Sequence, residues 1–435
     1  MGVLNRFWPN PPAGDRAQPG LAPPGQPYGS LPKALVSNPA WKRLENLPCQ
    51  SIRFSSLKDR VAGYRDHLTV MSLNTEFWLD PWAINLDHPL RGLDHEPILG
   101  KGEEALSALV HLFKYLTPQD QGPDIIALQE VENHHVLDAF LSRPDVVPLG
   151  YRYYCSSGSN NRVPLRLAFL YKADLSLIPE ESRSYFQERD ATGKPLFGKD
   201  LLQATFRVPV GPDRWETVSL FNCHLKSPVG KHTTFGPKAW RETAEKRLRE
   251  VSAIQQQMSR YQAAHPEATL LLLGDFNTEL NGQNPFSQPV LDVLAHRYPT
   301  TPLPDITADP PYEVVSAPPR QDRPLQAPLF EQPMALSLVD GLALPAVPVD
   351  YTVGFGPDGG DRFDGIFVRQ QDVERVLPQA TMVIPYEWDP RSAHWENPPS
   401  DHRAVVLTLK TRAAENIYTP TGQPQQVVTS SPRIA

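Results

Sequence analysis

Cysteine is scarce in this sequence. Cys49, Cys155 and Cys223 are the three it has among 435 residues, too few and too widely spaced for a thiolate metal cluster or a disulfide scaffold. Long apolar runs are missing as well, since none approaches the ~20 residues that span a bilayer. The N-terminus, Met-Gly-Val-Leu-Asn-Arg-Phe-Trp-Pro, lacks the unbroken apolar core of a signal peptide, and Arg6 stands where a myristoylation motif wants Ser or Thr. A soluble, cytoplasmic protein is expected. There is no excess of positive charge either: the formal net charge is -7, which argues against nucleic-acid binding by bulk charge but leaves room for a local basic strip or a bound metal. No fixed-period repeat recurs, which excludes a solenoid.

Proline, by contrast, is abundant, at 48 residues, about twice the usual share of ~5%. It divides the chain. Residues 1–40 are rich in Pro and Gly, and 411–435 mix Thr, Gln, Ser and Pro without apolar periodicity, so both ends are expected to be tails. Residues 41–410 then form one catalytic domain, with 281–350 as a long loop or insertion in which Pro302, Pro304, Pro310, Pro311, Pro318 and Pro319 interrupt regular structure. Short runs of branched and aromatic residues predict strands at 68–73, 124–128, 167–171, 217–225, 269–273, 362–368 and 404–409. Helical spacing of Leu106, Leu109, Val110, Phe113 and Leu116, and of Trp240, Ala244, Leu248, Val251 and Met258, predicts helices over 103–116 and 238–258.

The polar residues that carry chemistry stand where apolar strands run out. Asn74 ends Leu-Thr-Val-Met-Ser-Leu-Asn, Glu130 ends Asp-Ile-Ile-Ala-Leu-Gln-Glu, and Asp275 and Asn277 follow Leu-Leu-Leu-Leu-Gly. Strand ends at one sheet edge gather carboxylates distant in sequence around one ion, and oxygen ligands completed by water and phosphate suit Mg²⁺ or Mn²⁺. Period two puts Asn222 and His224 on one strand face and Cys223 on the other. Ser400-Asp401-His402 opens the last strand, after Arg362-Phe363-Asp364. Arg241, Lys246, Arg247 and Arg249 make a basic helix face that is either solvated or tracks phosphate, with Arg241 and Arg247 as the expected substrate contacts. His134 and His135 open a short helix with Val136, Leu137 and Phe140 and are read as surface residues that do not face each other.

Taken in order, Leu73-Asn74, Leu128 to Asn133, Asn222 to Ser227, Gly274 to Asn277, Phe363-Asp364 and Ser400 to His402 resemble the endonuclease/exonuclease/phosphatase family over about residues 67–410. His-Leu-Lys-Ser and Gln-Glu-Val-Glu-Asn look most like its bacterial nuclease-type members, as does a hairpin over 351–360. The resemblance implies a four-layer α/β/β/α sandwich of the deoxyribonuclease-like type with one active site at the shared edge of two sheets. By the same resemblance Glu130 is the principal Mg²⁺ ligand, supported by Asn74 and Asp401. Asp275 orients and deprotonates the attacking water, and Asn277 holds that water or a phosphate oxygen. His402, paired with Asp364, contacts the phosphate, and His224 lies on the phosphate or leaving-group side. The stretch Asn160 to Arg166 departs from the pattern, because it offers no carboxylate to pair with His224. A nuclease acting on nucleic acid is favoured; a phosphatase or phospholipase of inositol phosphates or sphingolipids, and a non-catalytic module that holds partners through its Pro-rich ends, are the alternatives.

Overall fold

Val70 and Met71 are neighbours in one strand, and both are fully buried, yet they belong to different cores. The same holds for Ile125 and Ile126 and for Leu271 and Leu272. Successive side chains of a strand leave opposite faces of a sheet, so strands that are apolar on both faces must be covered on both. Two sheets packed face to face, each with helices on its outer side, meet that requirement.

The computed structural model describes residues 64–78, 103–115, 122–156, 158, 160, 165–228, 237–280, 286–295, 337–341, 353–356, 359–383, 400 and 402–412. In chain order the described strands are β1 (His67–Trp78), β2 (Ile125–Val131), β3 (Tyr151–Cys155), β4 (Arg166–Lys172), β5 (Ser176–Leu177), β6 (Arg183–Ser184), β7 (Leu201–Gly211), β8 (Arg214–His224), β9 (Thr269–Asp275), β10 (Leu338–Asp340), β11 (Val353–Gly356), β12 (Gly359–Asp361), β13 (Asp364–Arg369), β14 (Met382–Val383) and β15 (Val405–Lys410). The described helices are α1 (Glu103–Tyr115), α2 (His134–Leu141), α3 (Pro237–Ala264) and α4 (Gln288–Leu294).

The first sheet runs β14-β15-β1-β2-β4-β3 and the second β10-β13-β9-β8-β7-β5, with β6 also on β7. Phe113 of α1 and Phe140 of α2 cover the outer face of the first sheet, packing on Met71, Ile126 and Leu170. Leu248, Val251 and Met258 of α3, with Val290 and Val293 of α4, cover the second, packing on Phe221, Cys223 and Leu272. Between the sheets Val70, Ile125 and Phe169 meet Phe206, Leu220, Leu271 and Ile366. This is the four-layer α/β/β/α sandwich.

Each expected strand and helix is present, and the hairpin before Phe363 is β11–β12. The 281–350 stretch differs from the expected loop in two described places. Pro289 sits in the first turn of α4, where its missing N–H costs nothing, and Gln255 of α3 donates to the carbonyls of Val293 and Leu294. β10 adds to the edge of the second sheet beside β13. The rest of that stretch, the 1–40 tail and 413–435 lie outside the described residues. Strands β3 and β7 go beyond the expected set. In β7, Gln203, Thr205 and Arg207 break up the apolar run, and Pro209 is tolerated at a register shift near the strand's end.

Candidate functional site

Three neighbouring strands end in one row. β8 and β9 run parallel with His224 opposite Asp275, and β13 runs antiparallel to β9 with Asp364 opposite Asp275. Asn74 of β1 reaches this row from the facing sheet. Gly274 makes the turn possible: at φ +139 its Cα lies against the Cys223 backbone, and a Cβ there would meet the Cys223 carbonyl oxygen at 2.0 Å. No side chain fits.

Asp275 is the hub. Its Oδ2 accepts from Asn74 Nδ2 at 3.0 Å and from Asn277 Nδ2 at 3.0 Å, and lies 3.1 Å from His224 Nε2. Its Oδ1 accepts from the Asn277 backbone N–H at 2.8 Å. Burial pushes the carboxyl pKa up, but His224, His402 and Lys199 outweigh it and hold the group well below the usual carboxylate range. Asp275 is therefore ionised. Asn277, at φ 46, also donates to the Leu225 carbonyl. Its three described donor contacts, one from the backbone and two from the side-chain amide, fix the Asp275 turn, so it braces the carboxylate instead of reaching out to a phosphate oxygen.

His402 Nδ1 lies 2.7 Å from Asp364 Oδ2, and its Nε2 is 3.4 Å from Asn74 Nδ2. Ser400 fixes the turn that presents this ring, because its hydroxyl donates to the Asn74 carbonyl and accepts from the His402 backbone N–H. Glu130 enters from β2 with φ 65, a left-handed conformation that is uncommon for a side-chain-bearing residue. The pairing of β2 with β4 shifts register between Leu128 and Val131, and this irregularity turns the Glu130 carboxylate into the cleft.

Lys199, at the entrance to β7, was not among the expected site residues. Its ammonium lies 3.6 Å from Glu130 Oε1 and against both ring nitrogens of His224, with Nδ1 at 2.9 Å. Burial pushes its pKa down, and Glu130 and Asp275 push it back up. Burial and then Lys199 lower the pKa of His224, against the opposing pull of Asp275 and Glu130. The group beside His224 is thus an amine and not a carboxylate. Asn160 donates to the carbonyls of Phe186 and Phe197.

Several expectations need correction or restriction. Asn222 is fully buried, donates to the Leu128 and Ala168 carbonyls and accepts from Gln129. It ties the two sheets together and offers nothing to a substrate. Arg247 is also fully buried, donating to Thr243 Oγ1 and the Lys226 carbonyl, so it is no part of a solvent-facing strip. Arg241 is half-buried in the first turns of α3, and Asp401 lies outside the described residues. His134 and His135 do face each other, with ring centroids 3.9 Å apart, and form an exposed group with Asp138 away from this row.

The donor set suits a hard divalent cation: carboxylates of Glu130, Asp275 and Asp364, the Asn74 amide and imidazole nitrogens, with Cys223 turned away into the α3 packing. The Lys199 ammonium, held among Glu130, Asp275 and His224, is itself a cation stationed in this pocket. Ligand-capable atoms of Asp275, Asp364 and His402 all lie within 4.8 Å of one another. The Asp364–His402 hydrogen bond accounts for much of that closeness.

Residues 100–298 match a model described as the endonuclease/exonuclease/phosphatase family. Over those residues the chain is similar to that family. Its members are hydrolytic phosphoesterases that depend on a divalent metal. The matched stretch contains Glu130, His224 and Asp275, and the sheet pairing brings Asn74, Asp364 and His402 to them from outside it. Solved structures similar to the chain include a family member from Bacteroides thetaiotaomicron (17% identity, 79% of this chain and 97% of that one, TM-score 0.45). The human Nocturnin catalytic domain is another (16%, 80% and 97%, TM-score 0.44), as is a mannosyl-6-phosphatase from Bacteroides thetaiotaomicron (17%, 78% and 98%, TM-score 0.45). No curated protein matches in sequence.

Proposed function

We propose that this chain is a divalent-metal-dependent phosphodiester hydrolase of the nuclease kind that works by direct attack of water. The observation that carries this reading is the convergence on Asp275, whose carboxylate joins Asn74, Asn277 and His224 while the Asp364–His402 pair stands next to it. Asp275 orients the water and accepts its proton, with Asn277 fixing the carboxylate. His402, held by Asp364, stabilises charge that develops on the phosphate, and the Lys199 amine stands on the His224 side. His224, hydrogen-bonded to Asp275, positions that carboxylate and lies on the phosphate or leaving-group side. Glu130 and Asn74, with Asp401, would hold Mg²⁺ or Mn²⁺, which when bound supplies Lewis acidity toward a phosphate oxygen. The one free thiol described near the row, Cys223, is buried on the far side of its strand, which favours water over a covalent nucleophile.

Purified protein with Mg²⁺ or Mn²⁺ should be assayed on plasmid, single-stranded DNA, RNA, sphingomyelin and inositol phosphates, with and without chelator. Metal-dependent cleavage of a nucleic acid is the expected result. Cleavage confined to the lipid or inositol phosphate would replace the nuclease reading with the phosphatase one, and no turnover at all would leave a binding module.

A further inference from the structure

The outward side of α2 carries a second group of ligand atoms, of a different kind from those in the cleft. Val136, Leu137 and Phe140 are buried against the first sheet, which leaves His134, His135 and Asp138 exposed on the other side. His134 and Asp138 are one helical turn apart, so they stand above one another. Residues adjacent on a helix ordinarily point apart, yet the rings of His134 and His135 lie 3.9 Å from each other, centroid to centroid. One ligand atom from each of the three residues lies within 4.8 Å of the other two. Ligands at ~2.0–2.1 Å from a tetrahedral Zn²⁺ are roughly 3.3 Å apart, a separation that exposed side chains reach by rotation. Two contacts hold the group in place. The Asn133 side-chain oxygen accepts from the backbone N–H groups of His135 and Val136 at 2.8 and 3.3 Å, fixing the first turn of α2. From β3, the Tyr153 hydroxyl donates to the Asp138 carboxylate, as the outer partners of metal-binding carboxylates do.

We propose that His134, His135 and Asp138 form an accessory Zn²⁺ site, separate from the catalytic cation. Two imidazoles and one carboxylate favour Zn²⁺ over Mg²⁺, whereas the three carboxylates and the amide of the cleft suit the harder ion. The remaining coordination positions face solvent. His134 is the fourth residue after Glu130 in the chain. An ion held there would join the first turn of α2 to β3 through Asp138 and Tyr153, and so steady the turn that follows the Glu130 strand. The accessory site is independent of the hydrolase reading.

The test uses the full chain, stripped of metal by chelator and exchanged into buffer with excess Mg²⁺. Calorimetry with ZnCl₂ compares the wild type, the His134→Ala, His135→Ala double variant, Asp138→Asn and Tyr153→Phe. The wild type should bind one more equivalent of Zn²⁺ than the double variant, with micromolar affinity, and Zn²⁺ should raise its Tm further. Tyr153→Phe should weaken that equivalent about tenfold, and Asp138→Asn should weaken it more. With Cu²⁺ in place of Zn²⁺, electron paramagnetic resonance should show coordination by two imidazole nitrogens in the wild type that the double variant loses. Without added metal the variants should unfold at the wild-type temperature, as substitutions at exposed positions do, so that a loss of Zn²⁺ is a loss of ligands and not of fold. Equal Zn²⁺ stoichiometry in the wild type and the double variant overturns the site, and uptake that needs millimolar Zn²⁺ overturns it as an adventitious ion only. Unchanged affinity in Asp138→Asn overturns the assigned ligand set.

Discussion

The two ends of the second sheet both bury charge, and they do so by opposite rules. At the end where β8 and β9 begin, Arg375 donates to Glu216, Asp372, the Thr269 hydroxyl and the Lys410 carbonyl. Arg369 also pairs with Asp372 at 2.6 Å, and the Arg412 backbone N–H reaches Glu216. Acids and bases alternate there, and the guanidinium is fully engaged. Eight residues further along β8, roughly 26 Å away at ~3.3 Å per residue, three carboxylates, Glu130, Asp275 and Asp364, crowd one cleft with Lys199. Among the described residues, four non-glycine residues have positive φ; Asn277 lies at that second end, and Glu130 and Glu76 on the two strands of the facing sheet that carry Glu130 and Asn74 to it. Burial of charge alone therefore does not mark a functional site. Unbalanced charge joined to a strained backbone does, because neither is favourable unless a ligand uses them.

The largest effect that tests this contrast is at Asp364 and His402. Replacing either by Ala should lower kcat by about 10²–10⁴, about 3–5 kcal/mol of barrier, with little change in thermal stability. Because Asp364 acts through His402, the double variant should be hardly slower than His402→Ala alone. Steady-state kinetics on the three variants decides it: multiplied losses would mean the two residues act independently. Arg375→Met should do the reverse. Removing the guanidinium leaves Glu216 and Asp372 buried without it, at a cost of about 3–5 kcal/mol in urea unfolding, while kcat per folded molecule stays within about twofold. A loss of activity without a loss of stability would show that the far end is not merely structural.

What the sequence revealed follows the same division. Glu130, Asp275, Asp364 and His402 each carry a local signal, an apolar strand that runs out into an acid or a histidine, and the β8–β9–β13 pairing brings three of the strand ends into one row. Lys199 carried no such signal, since its strand mixes Gln203, Thr205 and Arg207 with apolar residues and it meets His224 only through the β7–β8 pairing. Asn222 was misread for a matter of depth. It shares His224's face, but two residues further in it is fully buried, and its partners are the Leu128 and Ala168 carbonyls and the Gln129 amide. Arg247 was misread although the pattern was in view: on α3 it stands three residues after Ala244 and four before Val251, on the apolar face that packs against β8. A long side chain there lays its stem in the core, and its head must find partners such as Thr243 and the Lys226 carbonyl.

A smaller effect is expected at Asp200, a buried carboxylate that fits neither end. It accepts from the Ser184 hydroxyl and from the backbone N–H groups of Tyr185 and Leu201. Burial nevertheless raises its pKa to about 7. The sign follows from linkage. The unfolded chain releases this proton near the ordinary value of about 3.9, whereas the folded chain keeps it to about 7. Between those values the folded state binds more protons, so this group's contribution to stability falls as pH rises from about 4 to about 7 and stays low above that. Over the window the decline should be on the order of 2–4 kcal/mol. In Asp200→Asn that pH dependence disappears, so urea unfolding at pH 5 and pH 8 should differ less in the variant than in the wild type. The same change should leave kcat nearly intact, because Asp200 sits behind Lys199 on the inner side of the strand entrance and not in the His224–Asp275–Asp364 row. Unchanged pH dependence in the variant would mean that the three hydrogen bonds keep Asp200 ionised in the fold, which would place it with the fully satisfied charges of the Arg375 network.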